Sequence, residues 1–287
     1  MKGRTIVSVI LASLIAIFSG IYSFSQDKNL HIYFLDVGQG DSILIQTPDD
    51  VFMLIDGGPG DAVLSELNEI LPVWKRNIDV VILTHPDADH VTGLVEVVRY
   101  YEVKEADFGK VEHNTNIYEE FLYQVEEKAL QVSDLRDEDD FLLGCCVYVD
   151  ILWPEENQNL ERLDPVNNIS ISIRLTYKDF TAVLAGDAES ATEKKIAKIR
   201  GLDSDLLKIG HHGSNTSSEP VFLDAVEPEI AIISVGEDNR FGHPTLETLE
   251  KLKERNIKTY RTDLDGRIEV ISDGLEYWIE CKEGCGR

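Results

Sequence analysis

Apolar positions along the chain come in short bursts closed by polar clusters, and the spacing within each burst assigns it to a strand or a helix. HIYFLDV and DSILIQT flank Gly38-Gln39-Gly40, and VFMLID runs into Gly57-Gly58-Pro59-Gly60, which predicts a β-meander punctuated by glycine turns. Asp61 to Leu71 places Val63, Leu64, Leu67, Ile70 and Leu71 at helical spacing, and Asp79 to Thr84 is a β-branched run typical of a buried strand. A helix over Gly93 to Tyr101, a strand over Val103 to Phe108 and a helix over Asn116 to Leu130 follow, leading into an acidic connection from Asp134 to Asp140. The second half repeats the style. Strands CCVYVDILWP, ISISIRLTY, FTAVLAGD, SDLLKIG and EIAIISV are interleaved with helices over Glu189 to Ile199, near Pro220 to Val226 and around Leu246, Leu249 and Leu252, and KTYRT, GRIEVIS and GLEYWIE close the chain.

Two halves that each run from strands into helices predict two sheets packed face to face with helices outside, a four-layer αββα sandwich of the α/β class. Residues 30–287 are long enough to build one such domain around a substantial core. Strand interiors are committed to burial, so polar residues at strand ends collect along one rim. Asp36 to Asp41, Asp56, His85 to His90, Asn167-Asn168, Asp187, His211-His212 and His243 all end or follow an apolar run.

Residues 1–29 depart from this pattern. Lys2 and Arg4 precede Thr5 to Gln26, a stretch without charge that at roughly 1.5 Å per residue reaches about 30 Å as a helix, enough to span a bilayer. The basic residues in front favour a cytoplasmic amino end and an exported body. Ser23-Phe24-Ser25 offers a small-x-small site for a signal peptidase, so the segment reads as a retained anchor or, alternatively, a cleaved signal peptide, followed by a short linker. The expected location is extracytoplasmic, on the membrane or secreted.

Charge narrows the choice of partners. The formal net charge is -26, and no Lys/Arg stripe is visible, so a nucleic acid could not be held by a broad basic face. Cys145-Cys146 and Cys281-x-x-x-Cys285 lack the C-x-x-C spacing of a structural zinc site. Neighbours on a strand point to opposite faces, so a Cys145–Cys146 bond is not expected. Export would permit a Cys281–Cys285 bond, but free thiols in a frayed tail are the expected state.

The densest polar cluster is LTHPDADHVTG, in a loop expected between a buried strand and a helix. His85, Asp87, Asp89 and His90 fall within six positions, and carboxylates that close repel one another unless positive charge intervenes. Divalent metal supplies it, because imidazole and carboxylate oxygen both coordinate such ions at about 2.0–2.2 Å. Capping of the following helix is the competing role for the aspartates, but it needs no flanking histidines.

His85-x-Asp87-x-Asp89-His90 resembles the H-x-H-x-D-H signature of the metallo-β-lactamase superfamily, with Asp in its second place. LDVGQGDSILI, IDGG, THPDADHVTG, AVLAGDAE, LLKIGHHGS and Gly242-His243-Pro244 together resemble, more narrowly, the hydrolase domain of ComEC-type competence DNA-uptake proteins, from about Leu30 to Ile271. The many membrane spans of the full uptake channel are absent here, so the resemblance implies a stand-alone hydrolase domain. It also implies that His85 and Asp87 bind one metal, Asp89 and His90 a second, and that Asp187 bridges them. Asp56 would support the metal loop, and Asp36, Gln39 and Asp41 would position loop or substrate beside the metals. The His211-His212 pair would be functional, with His212 the preferred ligand and His211 beside it. Asn167-Asn168 stands where the superfamily usually places another histidine, as in ComEC-type relatives. His243 would contact a phosphate or protonate a leaving oxygen, and Ser214 would line the substrate groove. Asp89, Asp187 and His243 are thus the residues expected to carry catalysis.

Asp87 and the asparagines make the site rich in oxygen, which raises Mn²⁺ and, less so, Mg²⁺ relative to Zn²⁺, although affinity order still favours zinc. The expectation is a two-metal phosphodiesterase or nuclease acting on DNA, single-stranded DNA included, outside the cytoplasmic membrane, within a competence or envelope complex and without an organic cofactor. Two alternatives stay open: a hydrolase of a cell-envelope phosphodiester, lactone or β-lactam, and a non-catalytic metal-binding module of an envelope complex.

Overall fold

The computed structural model describes residues 28–163 and 166–286. The expected anchor or signal, Thr5 to Gln26 with its flanking Lys2 and Arg4, lies outside the described residues. Among those described, no helix is long and apolar enough to cross a membrane.

The first half runs β1 (Leu30–Phe34), β2 (Ile43–Gln46), β3 (Phe52–Ile55), α1 (Ala62–Ile70), β4 (Asn77–Leu83), α2 (Ala88–Tyr100), β5 (Glu102–Phe108), α3 (Asn116–Glu127), β6 (Gln131–Ser133) and β7 (Phe141–Leu143). It continues with β8 (Val147–Trp153), β9 (Ser172–Tyr177), β10 (Phe180–Leu184), α4 (Ser190–Ile196), β11 (Leu206–Lys208), α5 (Pro220–Val226), β12 (Ile230–Ile233), α6 (Leu246–Glu254), β13 (Lys258–Arg261), α7 (Thr262–Asp265), β14 (Ile268–Ser272) and β15 (Tyr277–Cys281). One sheet has the order β15-β14-β1-β2-β3-β4-β5-β6 and the other β13-β12-β11-β10-β9-β8-β7. In each, an antiparallel part passes into a parallel part, at β3/β4 and at β10/β11. Parallel neighbours need a crossover, and α1 to α3 in one sheet and α4 to α6 in the other supply it.

The layers follow from alternation along each strand. Ile43 and Ile45 of β2 face the second sheet, in one core with Ile151, Ile173, Leu184 and Ile232, while Leu44 between them packs outward with Leu67, Leu94 and Phe121 of the helices. On the far side Val183, Leu207 and Ile233 pack with Ile196, Phe222 and Leu252. Strands buried on both faces read as unbroken apolar runs, which is why their interiors were recognisable in sequence.

Four expectations are corrected. The acidic connection after α3 is flanked by β6 and β7, strands too short to show a period. Helix α2 begins at Ala88, inside the histidine–aspartate motif, so Asp89 and His90 belong to its first turn rather than to a loop. Cys145 and Cys146 lie in the turn between β7 and β8, where strand alternation does not operate, and they are disulfide-bonded to each other. Cys281 and Cys285 are also bonded, across the turn that follows β15, in place of a frayed tail.

Next to the edge strand of the first sheet, Asp107 of β5 is buried and accepts a hydrogen bond from the Ser133 amide of β6 at 3.1 Å. Burial, reinforced by the like charge of Glu105, pushes its carboxyl up to about 7. An acid held above its ordinary value favours the protonated fold, so the stability it contributes is present below about pH 4 and lost as pH rises through 7. Asp107→Asn, a mimic of the protonated form, is expected to be more stable than the parent at pH 8 by about 1–2 kcal/mol, with a smaller gap at pH 5 that closes only below about pH 4. Urea melts at the two pH values check this, and equal gaps at both would refute it.

Candidate metal centre

The loops after β3, β4, β10, β11 and β12 leave the carboxyl ends of parallel strands on the same rim, and their polar side chains meet there. Among the described residues, four triads of ligand atoms, each mutually within 4.8 Å, are formed by His85, His90 and Asp187, by Asp89, His90 and His212, by Asp41, Asp187 and His212, and by Asp41, Asp56 and His90.

Each of the three central imidazoles is held at Nδ1. His90 Nδ1 donates to Asp56 Oδ2 at 2.7 Å, and His212 Nδ1 donates to the Ser234 carbonyl at 2.9 Å. His85 Nδ1 lies 3.0 Å from Thr84 Oγ1, whose own proton goes to Asp56, and 3.1 Å from Ser170 Oγ. Asp56 further accepts from the Thr84 amide at 2.8 Å, so one carboxylate fixes the end of β4 and the first turn of α2 together. With Nδ1 engaged, Nε2 of all three rings turns inward, and among the described residues none of these Nε2 atoms has a hydrogen bond. Oδ1 of Asp187 and Oδ1 of Asp41 are likewise buried and without one. Buried polar atoms left unsatisfied cost about 1–3 kcal/mol each, and convergence of imidazole nitrogen and carboxylate oxygen on one volume is the donor set that divalent ions take. The residues therefore fit a metal.

The electrostatics show how strongly the cluster is charged without one. Burial alone would discharge His90 and His212, but Asp187 beside both, with Asp56 at His90 and Asp41 at His212, holds the two rings well above their ordinary value. Burial and the neighbouring His90 charge drop His85 to about 3. Burial would raise Asp187, yet His212 and His90 hold it well below the usual carboxylate range.

Other expected residues fall in graded positions. Asp87 stands half-exposed at the rim, Oδ2 3.8 Å from His85 Nε2, and belongs to none of the converging triads. His211 is turned away from its neighbour toward Asn167, Glu189 and Thr216, so the pair splits into an inner His212 and an outer His211. Asn168 is buried and tied by Trp153 and Thr192. Gln39 accepts from the Gly236 amide and, with Asp89, lines a cleft at the mouth. Ser214 is buried against Thr216. His243 stacks edge-on to His211 at 5.6 Å, and its buried Nδ1 lacks a hydrogen bond. Asp36 is corrected: alternation after β1 buries Leu35 and Val37 and exposes Asp36, whose charged neighbours are Glu66, Lys282 and Asp263 instead of the cluster.

Sequence reasoning missed Lys208 and Ser170. Lys208 is wholly buried, paired with Asp41, donating to the Gly186 carbonyl at 2.9 Å and 3.7 Å from Asp187. It neutralises Asp41, which would otherwise repel Asp187 across the cluster. A lysine inside the apolar run DLLKI, three residues before two histidines, was the available signal. Ser170 spans His85 and the Asp187 amide, each at 3.1 Å, and had no signal beyond strand alternation.

The sequence profile of the metallo-beta-lactamase superfamily matches residues 35–237. The chain belongs to that superfamily. It is 28% identical over 253 residues to ComE operon protein 3 of Bacillus subtilis, covering 82% of this chain and 32% of that one. To competence protein ComA of Neisseria gonorrhoeae it is 30% identical over 238 residues, covering 82% and 31%. The chain thus spans about a third of these relatives' length, and the resemblance to ComEC-type hydrolase domains holds over that part. Among solved structures, the diiron β-hydroxylase CmlA of Streptomyces venezuelae superposes with a TM-score of 0.55 at 15% identity, over 84% of this chain and 53% of that one. That likeness concerns the fold alone.

Proposed function

We propose that this superfamily member is a two-metal phosphodiesterase that cleaves DNA, single-stranded by preference, outside the cytoplasmic membrane, from an amino-terminal anchor. The observation that carries it is the set of three imidazoles tied at Nδ1 and open at Nε2 around Asp187. The names of the relatives, a competence protein ComA and a ComE operon protein, support DNA over other esters.

His85, His90, Asp89, His212 and Asp187 would hold the ions, with Asp41 available to the His212 side and Asp87 at the rim. Divalent ions there would supply an activated water at neutral pH and positive charge against the developing phosphorane. The chain's own groups do the positioning. Asp56 locks the tautomer and angle of His90, as such carboxylates do for metal-bound histidines. Lys208 and Asp41 form a fixed charge pair beneath the floor of the site, and His243, partly exposed beside His211, would present its imidazole to a substrate oxygen.

The test uses the full-length protein stripped with chelator, then reloaded with Mn²⁺ or Zn²⁺ and given end-labelled single-stranded DNA. Metal-dependent strand cleavage, with two ions per chain by elemental analysis, is the expected result. Turnover of a teichoic-acid diester, lactone or β-lactam in its place would reassign the substrate, and metal uptake without hydrolysis of any would indicate a non-catalytic module.

A further inference from the structure

The imidazoles of the candidate centre continue outward as a row of rings. His85 and His90 lie 4.1 Å apart between centroids, His90 and His212 5.4 Å, His212 and His211 6.1 Å, and His211 and His243 5.6 Å. The row ends on Phe241, nearly parallel to His243 at 5.9 Å and 13°, and 54% exposed. Arg240 lies over the Phe241 ring at 5.1 Å and makes no ion pair with a carboxylate among the described residues, although the chain is strongly acidic. Both residues line a cleft of about 440 Å³ that also contains Asp89, Asp238 and Gln39, so the aromatic face and one candidate ligand, Asp89, share an opening. The loop that carries them is held from within: the Asn239 amide donates to the carbonyls of Gly236 and His243 and accepts from the His243 amide at 2.9 Å. An exposed phenylalanine is therefore presented on a braced turn, where little ordering entropy is lost on binding.

We propose that Phe241, flanked by Arg240, is a stacking subsite for a base of single-stranded nucleic acid beside the candidate metal centre, a specificity element that rests on the phosphodiesterase reading. A chain with net charge -26 gains little from general attraction to a polyanion, so affinity must come from contacts that do not depend on it. Base–aromatic stacking is such a contact; it is worth about 1–3 kcal/mol per base and tolerates any sequence. Arg240 adds a planar cation that can stack on a base or pair with a phosphate. Duplex DNA keeps its bases inside the helix and cannot use the platform, which selects for single strands.

The experiment compares the full-length protein with Phe241→Ala and Phe241→Trp, all loaded with Mn²⁺, by anisotropy of a labelled phosphorothioate oligothymidylate and of an abasic phosphorothioate of equal length. Phe241→Ala is expected to weaken oligothymidylate binding by about 5- to 150-fold, the span of one stacked base, while the abasic strand binds parent and variant alike. Phe241→Trp is expected to restore affinity, with its indole fluorescence quenched on binding. Equal loss for both strands, no loss for either, or a parent protein that does not distinguish them would overturn the subsite. Hydrolysis of methyl p-nitrophenyl phosphate by the parent tests the phosphodiesterase reading separately, since that small diester carries no base.

Discussion

Asp187→Ala is expected to lower hydrolysis by at least about 10³-fold and to abolish stoichiometric binding of divalent metal, in a chain that still folds. Asp187 is the carboxylate that both faces of the cluster share, since it converges with His85 and His90 on one side and with His212 and Asp41 on the other. Its Oδ2 lies 3.3 Å from Nε2 of His90 and of His212. Removing it deletes the common acceptor and leaves a hole where two cations would need negative charge most. The fold should survive, because the structural bond at this position is made by the backbone: the Asp187 amide donates to Ser170 Oγ, and alanine keeps it. Asp187→Asn, which keeps the shape and removes the charge, should lose metal almost as completely. Elemental analysis and isothermal titration with Mn²⁺, alongside circular dichroism, decide the matter. A folded Asp187→Ala protein that still takes up its full complement of metal would show that the cluster's shared acid is not a ligand.

Gly93→Ala should destabilise the protein by about 3 kcal/mol or more, although helix propensity argues the reverse. Gly93 lies inside α2, where alanine is favoured over glycine by about 1 kcal/mol. A Cβ there would sit 1.8 Å from the Gly57 carbonyl oxygen and 2.5 Å from its carbon, and 2.8 Å from the Gly60 carbonyl oxygen. These are backbone atoms that no rotamer change can move, so α2 and the 57–60 turn must separate. Their contact is reinforced by the Gly93 amide donating to Gly58 at 3.0 Å and the Gly57 amide donating to His90 at 2.8 Å. Overpacking therefore outweighs propensity. Because Asp56 and His90 lie at the two ends of the forced gap, the variant should also bind metal more weakly. Urea denaturation of apo protein gives the first quantity and metal titration the second, and a Gly93→Ala protein as stable as its parent would contradict the close approach.

The chemistry of the site was more legible in the chain than its exact framing by secondary structure. Short acids and imidazoles at the ends of apolar runs can only gather at a rim, so Asp56, Asp89, His90, Asp187 and the His211-His212 pair could be placed on one rim from the sequence, while the choice of His212 within the pair came from the family resemblance. Register within a loop is a different matter. Asp36 and Asp41 both flank the same glycine turn, yet alternation after β1 sends Asp36 outward, while Asp41 is drawn inward by Lys208, a partner 167 residues away. No local pattern encodes such a pairing. Similarly β6 and β7 are three residues each, shorter than any period needs, and exist because neighbouring strands offer them hydrogen bonds. Propensity placed the start of α2 late because the motif reads as polar loop; Asp56, which grips His90 from outside the helix, favours the earlier start.

The two sheets contribute unequal but indispensable shares of the rim: Asp41, Asp56, His85, Asp89 and His90 come from the first, and Asp187, Lys208 and His212 from the second. The centre therefore exists only where the two halves are docked, and an ion bound there would act as a rivet through both. Ligands that recognise only the assembled state stabilise it in proportion to the logarithm of their concentration over their dissociation constant. Metal supply would then govern the lifetime of the protein as well as its chemistry, and a chain starved of metal would be both inactive and easier to pull apart.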